Sequence, residues 1–223
     1  MDVMEVFMNK EANVINYYVL CNKLKNINRT GWKEWNVNRE RLESVAEHVY
    51  GVQMLAIAMK SEYQYDIDIL KVIMMLAVHE LEEIIIGDLT LFDINSDDKA
   101  KIGHEAVEKI LANLSNKEYI MNLILEFDAK ETKEAKFAYY CDKLECDLQS
   151  KLYDEEGCVD LNNQEGNKSM NNERVQTLLQ KGHSWSDMWL EFGRERYNYD
   201  DNFLAVSNYA SQNSINDLNG ENE

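Results

Sequence analysis

Proline is missing altogether from the 223 residues, and glycine is scarce at nine. A sandwich or barrel built on many tight turns is therefore excluded, and without the commonest helix breaker long helices are permitted. Cations are also short: 23 Lys and Arg stand against 41 Asp and Glu, a formal charge of −18. That balance excludes a broad basic surface for polymeric nucleic acid and makes the chain an awkward host for any anion. No apolar run of about eighteen residues exists, so no membrane span is expected. The acidic start, MDVMEVFMNKEAN, lacks the basic region of a signal peptide. Cys21, Cys141, Cys146 and Cys158 form no CxxC pair and no zinc-knuckle spacing. They read as reduced thiols in a cytoplasmic protein.

What is present is helical periodicity almost throughout, and with 45% hydrophobic residues the chain can bury a full core. Residues 6–27 repeat apolar side chains at three and four (Val14, Tyr17, Tyr18, Cys21, Leu24). Residues 44–59 do the same through Val45, Val49, Val52, Leu55, Ala56 and Met59. The most apolar stretch, 68–86, predicts a central buried helix stopped by Gly87. Ser96 and Asp97 can cap a helix to about Leu114. Further helices are expected over 117–128, 132–153, 173–180 and 184–198. No repeat and no composition shift marks a second core. The chain divides into a helical core (1–153), a mobile Asn/Gly-rich loop (154–172), C-terminal helices packing on the core (173–212) and a disordered tail (213–223).

Only four histidines occur, so each is informative. His183 at a helix entrance and His104 on a polar helix read as surface residues. His79 is embedded in the most apolar segment, with Glu80, Glu82, Glu83 and Asp88 close behind. His48 falls on the apolar stripe of the second helix, and Asp142 interrupts the apolar stretch FAYYCDKLECDL. Taken singly, each has an ordinary reading: a core histidine, a solvated acidic strip, an aspartate paired with Lys143 or Arg41. Taken together, two histidines and two carboxylates on three core helices point to one divalent metal with N and O ligands.

The order His48, His79–Glu80, Asp142 resembles the H…HD…D signature of HD-domain metal-dependent phosphohydrolases. The blocks RTGW (29–32), SVAEH (44–48), HELEEIIIGD (79–88) and CDKLECDLQ (141–149) are similar to the 5′-deoxynucleotidase branch. The resemblance covers about residues 23–153. It implies an all-α HD-domain helical bundle with a C-terminal helical extension. It implies one divalent ion (manganese, cobalt, magnesium, zinc or iron) held by His48, His79, Glu80 and Asp142. Glu83 would be the catalytic glutamate, and Asp88 would hold the sugar-phosphate or assist the leaving oxygen. Arg29 and Trp32 would approach phosphate and nucleoside. The implied partners are a nucleoside 5′-monophosphate and, since relatives are usually dimers, a second copy of the chain.

The chain departs from the family at the doublet, His79–Glu80 in place of His-Asp. Glutamate keeps the charge but reaches about an ångström further. A related hydrolase of triphosphates, cyclic nucleotides or alarmones is one alternative. A degenerate domain that only binds nucleotide or a partner is another.

Overall fold

The computed structural model describes residues 9–90 and 93–216. Helices dominate, and among the described residues no strand forms; one isolated antiparallel bridge joins Asn28 to Ser44. In the absence of proline, capping side chains and left-handed residues mark the helix ends. Ser44 and Glu47 form a capping box at the start of α3 (Val45–Tyr63), where the serine hydroxyl and glutamate carboxylate satisfy otherwise unpaired backbone donors. Asp68 caps α4 (Ile69–Val78), and Thr132 caps the 23-residue α8 (Lys133–Glu155). Gln64 and Lys130 adopt positive φ at the ends of α3 and α7 (Lys117–Ala129).

The main core is where α3, α4, α7 and α8 meet. Val52, Ala56, Val72, Met75, Leu76, Ala138 and Leu144 are fully enclosed there. A second apolar cluster, which composition did not mark, gathers Trp32, Trp35, Tyr153, Leu178, Trp185 and Met188. It joins the short α2 (Thr30–Glu34) and the C-terminal end of α8 to α9 (Glu173–Gln180) and α10 (Trp185–Arg196). Since α8 supplies both clusters, it is the spine of the molecule.

Several expectations are revised. The apolar residues of α1 (Lys10–Cys21) divide between two faces: Tyr17, Leu20 and Cys21 pack against the main core, whereas Val14 and Tyr18 are each 64% exposed, and the chain tightens into a 3-10 turn at Asn22–Asn26. Residues 6–8 lie outside the described residues. The helix expected over 68–86 breaks after Val78. His79 to Glu82 form turns with i→i−3 hydrogen bonds before a one-turn α5 (Glu83–Ile86). Gly87 does end that turn, at φ 76°, where a side chain would be strained. Asn95 rather than Ser96 or Asp97 caps α6 (Ser96–Leu111). A further helix, α11 (Asp201–Gln212), follows α10 and brings Phe203 onto the main core.

The Asn/Gly-rich segment lies along the second cluster, with Asn167 and Ser169 buried. Within the expected tail, Ser214, Ile215 and Asn216 hydrogen-bond to Glu155, and 217–223 lie outside the described residues. No helix among the described residues is long and apolar enough to cross a membrane.

Candidate metal centre and active site

The break after Val78 is what assembles the site. In a continuous helix His79 and Glu80 would point about 100° apart. In the turn both reach one point: Glu80 Oε1 lies 3.6 Å from His79 Nε2 and 3.7 Å from His48 Nε2. Asp142 Oδ1, from α8, lies 3.2 Å from His48 Nε2 and 3.8 Å from His79 Nε2. The added methylene of Glu80 therefore does not withdraw its carboxylate from the group. Ligand atoms of all four residues fall within 4.8 Å of one another, and all four side chains are buried.

The state of these atoms tests whether a cation fits. His79 Nδ1 is 2.7 Å from the Leu76 carbonyl, which can only accept, so the ring proton sits on Nδ1. His48 Nδ1 is 2.6 Å from Glu145 Oε2. With hydrogen on Nδ1 the neutral form of each ring turns its Nε2 lone pair inward. His48 Nε2, His79 Nε2 and Asp142 Oδ1 are buried without a hydrogen-bond partner. Although Asp142 Oδ1 is close to His48 Nε2, that contact lacks hydrogen-bond alignment. Converging acceptors with nothing between them are costly, and a divalent ion with N and O ligands removes the cost. The donor set fits such an ion.

Around the quartet runs a cleft of about 660 Å³. Arg29 projects into it, with Nη1 3.5 Å from both Glu80 Oε1 and Asp88 Oδ1, and Nη2 donating to Cys146 Sγ at 3.3 Å. Asp88 ties down this stretch of chain: Oδ2 accepts the Thr30 N–H at 2.6 Å, and its carbonyl accepts the Thr30 hydroxyl. Glu83 is 1% exposed, and neither of its carboxylate oxygens has a hydrogen-bond partner. Burial, then Glu80 and Asp88, push its pKa well above the usual carboxylate range. That is the direction a proton acceptor working near neutral pH requires.

Sequence reasoning passed over several neighbours. Lys99, on α6, places Nζ 3.6 Å from Glu83 Oε1. Glu145 lies three residues after Asp142, on the same face of α8, and that spacing could have revealed it. Lys143 Nζ is 2.8 Å from Asp142 Oδ2, one of the pairings expected for that aspartate. His104 pairs with Asp128 at 2.7 Å on the cleft's outer wall. Of the three arginines of the N-terminal region, only Arg29 enters the cleft. Arg39 pairs with Glu156, and Arg41 pairs with Glu47 on the surface. Trp32 borders the cleft but is 2% exposed, with its indole N–H donated to Glu43 Oε2 at 2.7 Å.

A model of the HD domain matches residues 21–183. The chain belongs to the HD domain family. Among curated proteins it is 32% identical to the 5′-deoxynucleotidase HDDC2 of Dictyostelium discoideum, over 65% of this chain and 80% of that one. It is 29% identical to the human 5′-deoxynucleotidase HDDC2, over 64% and 69%. Among solved structures it is similar to a conserved hypothetical protein of Pyrococcus furiosus, at 25% identity and a TM-score of 0.56. That similarity covers 82% of this chain and 98% of that one.

Proposed function

We propose that this protein is a metal-dependent phosphohydrolase that cleaves deoxynucleoside 5′-monophosphates to nucleoside and phosphate. The observation that carries this reading is the buried quartet of His48, His79, Glu80 and Asp142, with the Glu83 carboxylate, free of hydrogen bonds, beside it in one cleft. The names of the relatives supply the substrate class.

The four residues would hold one divalent ion, which when bound supplies a more acidic water and charge neutralisation at the phosphoryl group. Glu83 accepts the proton of the attacking water as its oxygen bonds to phosphorus, and Lys99 stabilises the carboxylate beforehand. Arg29 contacts phosphate oxygens, held in place by Asp88. The bond from phosphorus to the 5′-oxygen breaks, and that oxygen leaves as a hydroxyl on gaining a proton. Asp88 lies on the side of the cleft where it can assist. Trp32 acts as the wall under the nucleoside rather than through its indole N–H, which Glu43 occupies.

The same reading extends to the rest of the molecule. The catalytic groups lie within the core expected over 1–153, and 173–212 brace it. A homodimer is supported by apolar side chains exposed on α1 and α3, and a cytoplasmic location by four free thiols.

The test is phosphate release from a panel of deoxynucleoside monophosphates with manganese, cobalt or magnesium. Turnover is expected with at least one ion, and Glu83→Gln should lower kcat about 10²–10⁴-fold while metal content is kept. Absence of turnover with every ion and substrate would overturn the reading.

A further inference from the structure

A carboxylate outside the quartet touches one of its members more closely than any quartet atom does. Glu145 Oε2 lies 2.6 Å from His48 Nδ1. The pair is enclosed: the His48 side chain is fully buried and that of Glu145 is 10% exposed. Imidazole has two ring nitrogens, and only the one without hydrogen can bind a cation. A carboxylate at Nδ1 keeps the hydrogen there. It thereby holds the lone pair on Nε2, which points at Glu80 and Asp142.

The backbone of α3 has a matching feature. Gly51 follows His48 by three residues, on the same face of the helix. A Cβ at that position would overlap Glu145 Oε1 and lie 3.2 Å from its Cδ. The carboxylate therefore occupies a seat that only a glycine leaves open. Gly51 lies in the interior of a 19-residue helix, where glycine is unfavourable by about 0.5–1 kcal/mol relative to alanine. Helix propensity therefore does not explain its presence, whereas room for Glu145 does.

We infer that Glu145 is a positioning residue that sets the tautomer and aim of His48 for metal binding, and that Gly51 provides its seat. The inference rests on the reading of His48 as a ligand. Its tautomer component can be tested without any metal. His79 is aimed by a backbone carbonyl, which no substitution removes, so Glu145 is the side chain through which this aiming can be altered.

The experiment uses the full chain. Nitrogen-15 NMR of the four histidine rings in the metal-free protein, followed up the pH scale until the His48 ring has lost its second proton, reports the His48 tautomer. Wild type is expected to show hydrogen on Nδ1 alone, and Glu145→Ala a mixture or a reversal. Cobalt affinity, measured by chelator competition, is expected to fall about 10–100-fold in Glu145→Gln. Glu145→Asp should recover part of the loss. Gly51→Ala, which leaves the carboxylate intact but takes its seat, should weaken cobalt binding in the same direction. Circular dichroism confirms that each variant is folded.

Unchanged cobalt affinity in folded Glu145→Gln and Gly51→Ala would overturn the inference, as would an unchanged His48 tautomer in Glu145→Ala. Wild-type protein that binds no divalent ion would instead overturn the metal reading, and the tautomer measurement would still decide what Glu145 does to His48.

Discussion

Behind the site sits a glutamate whose protonation the fold controls. Glu43 accepts the Trp32 indole N–H, and burial together with nearby Glu145 lifts its pKa from 4.5 to about 7. Between those values the folded protein keeps a proton that the unfolded chain has lost. The native state binds more protons, so the stabilisation present at low pH declines as pH rises through this window. Glu82, raised to about 8 mainly by burial and Glu80, contributes with the same sign. Urea unfolding of metal-free Glu43→Gln should therefore show a shallower loss of stability from pH 4.5 to about 7 than wild type. A slope equal to that of wild type would show that Glu43 is not the group responsible. At this scale the sequence was informative where a polar residue interrupted an apolar stripe, as at His48, His79 and Asp142. Glu43 and Lys99 were not legible, because each looks like an ordinary surface charge until another helix covers it, whereas Glu145 could have been found from its spacing to Asp142.

Two helices meet over a buried carboxylate at the crossing of α8 and α10. Gly193 lies against Asp147, and a Cβ there would overlap Asp147 Oδ2 and lie 3.0 Å from its Cγ. Asp147 is 2% exposed and bonded to the Tyr199 hydroxyl at 3.3 Å, so it has little room to retreat. Gly193→Ala is therefore expected to cost about 1–3 kcal/mol through overpacking, read as a lower urea midpoint at unchanged slope. An unchanged midpoint would mean that α10 slides without penalty. Helix type was legible wherever periodicity ran long, as in α3 and α8. The break at His79 to Glu82 was not, because the apolar stretch 68–86 has a helical pattern and the chain leaves it where the adjacent His79 and Glu80 side chains converge on one point. Tertiary demand there overrides local preference.

Over the whole molecule, the two apolar clusters share one spine. Ala138 and Leu144 of α8 belong to the first, and Tyr153 of the same helix to the second. All four tryptophans lie in or against the second cluster. Indole fluorescence therefore reports one half of the protein, and far-ultraviolet circular dichroism reports the whole. The shared helix predicts coincident unfolding transitions by the two probes. A fluorescence change that precedes the loss of helix would show that the C-terminal cluster opens by itself. An all-helical architecture could be read from the missing proline and the periodicity, but the division into two clusters could not. Trp32 and Trp185 are 153 positions apart in sequence, and only the fold places their rings 6.1 Å apart.

The apolar side chains left in solvent on α1 and α3 belong to a body carrying −18. Two such bodies behave as like-charged colloids: contact between these rows gains from apolar burial and loses to mutual repulsion. Added electrolyte screens the repulsion and leaves the burial term largely intact. Self-association of this chain would therefore be favoured by brine and opposed by dilute buffer. Its ionic surroundings would decide whether it stays single or pairs.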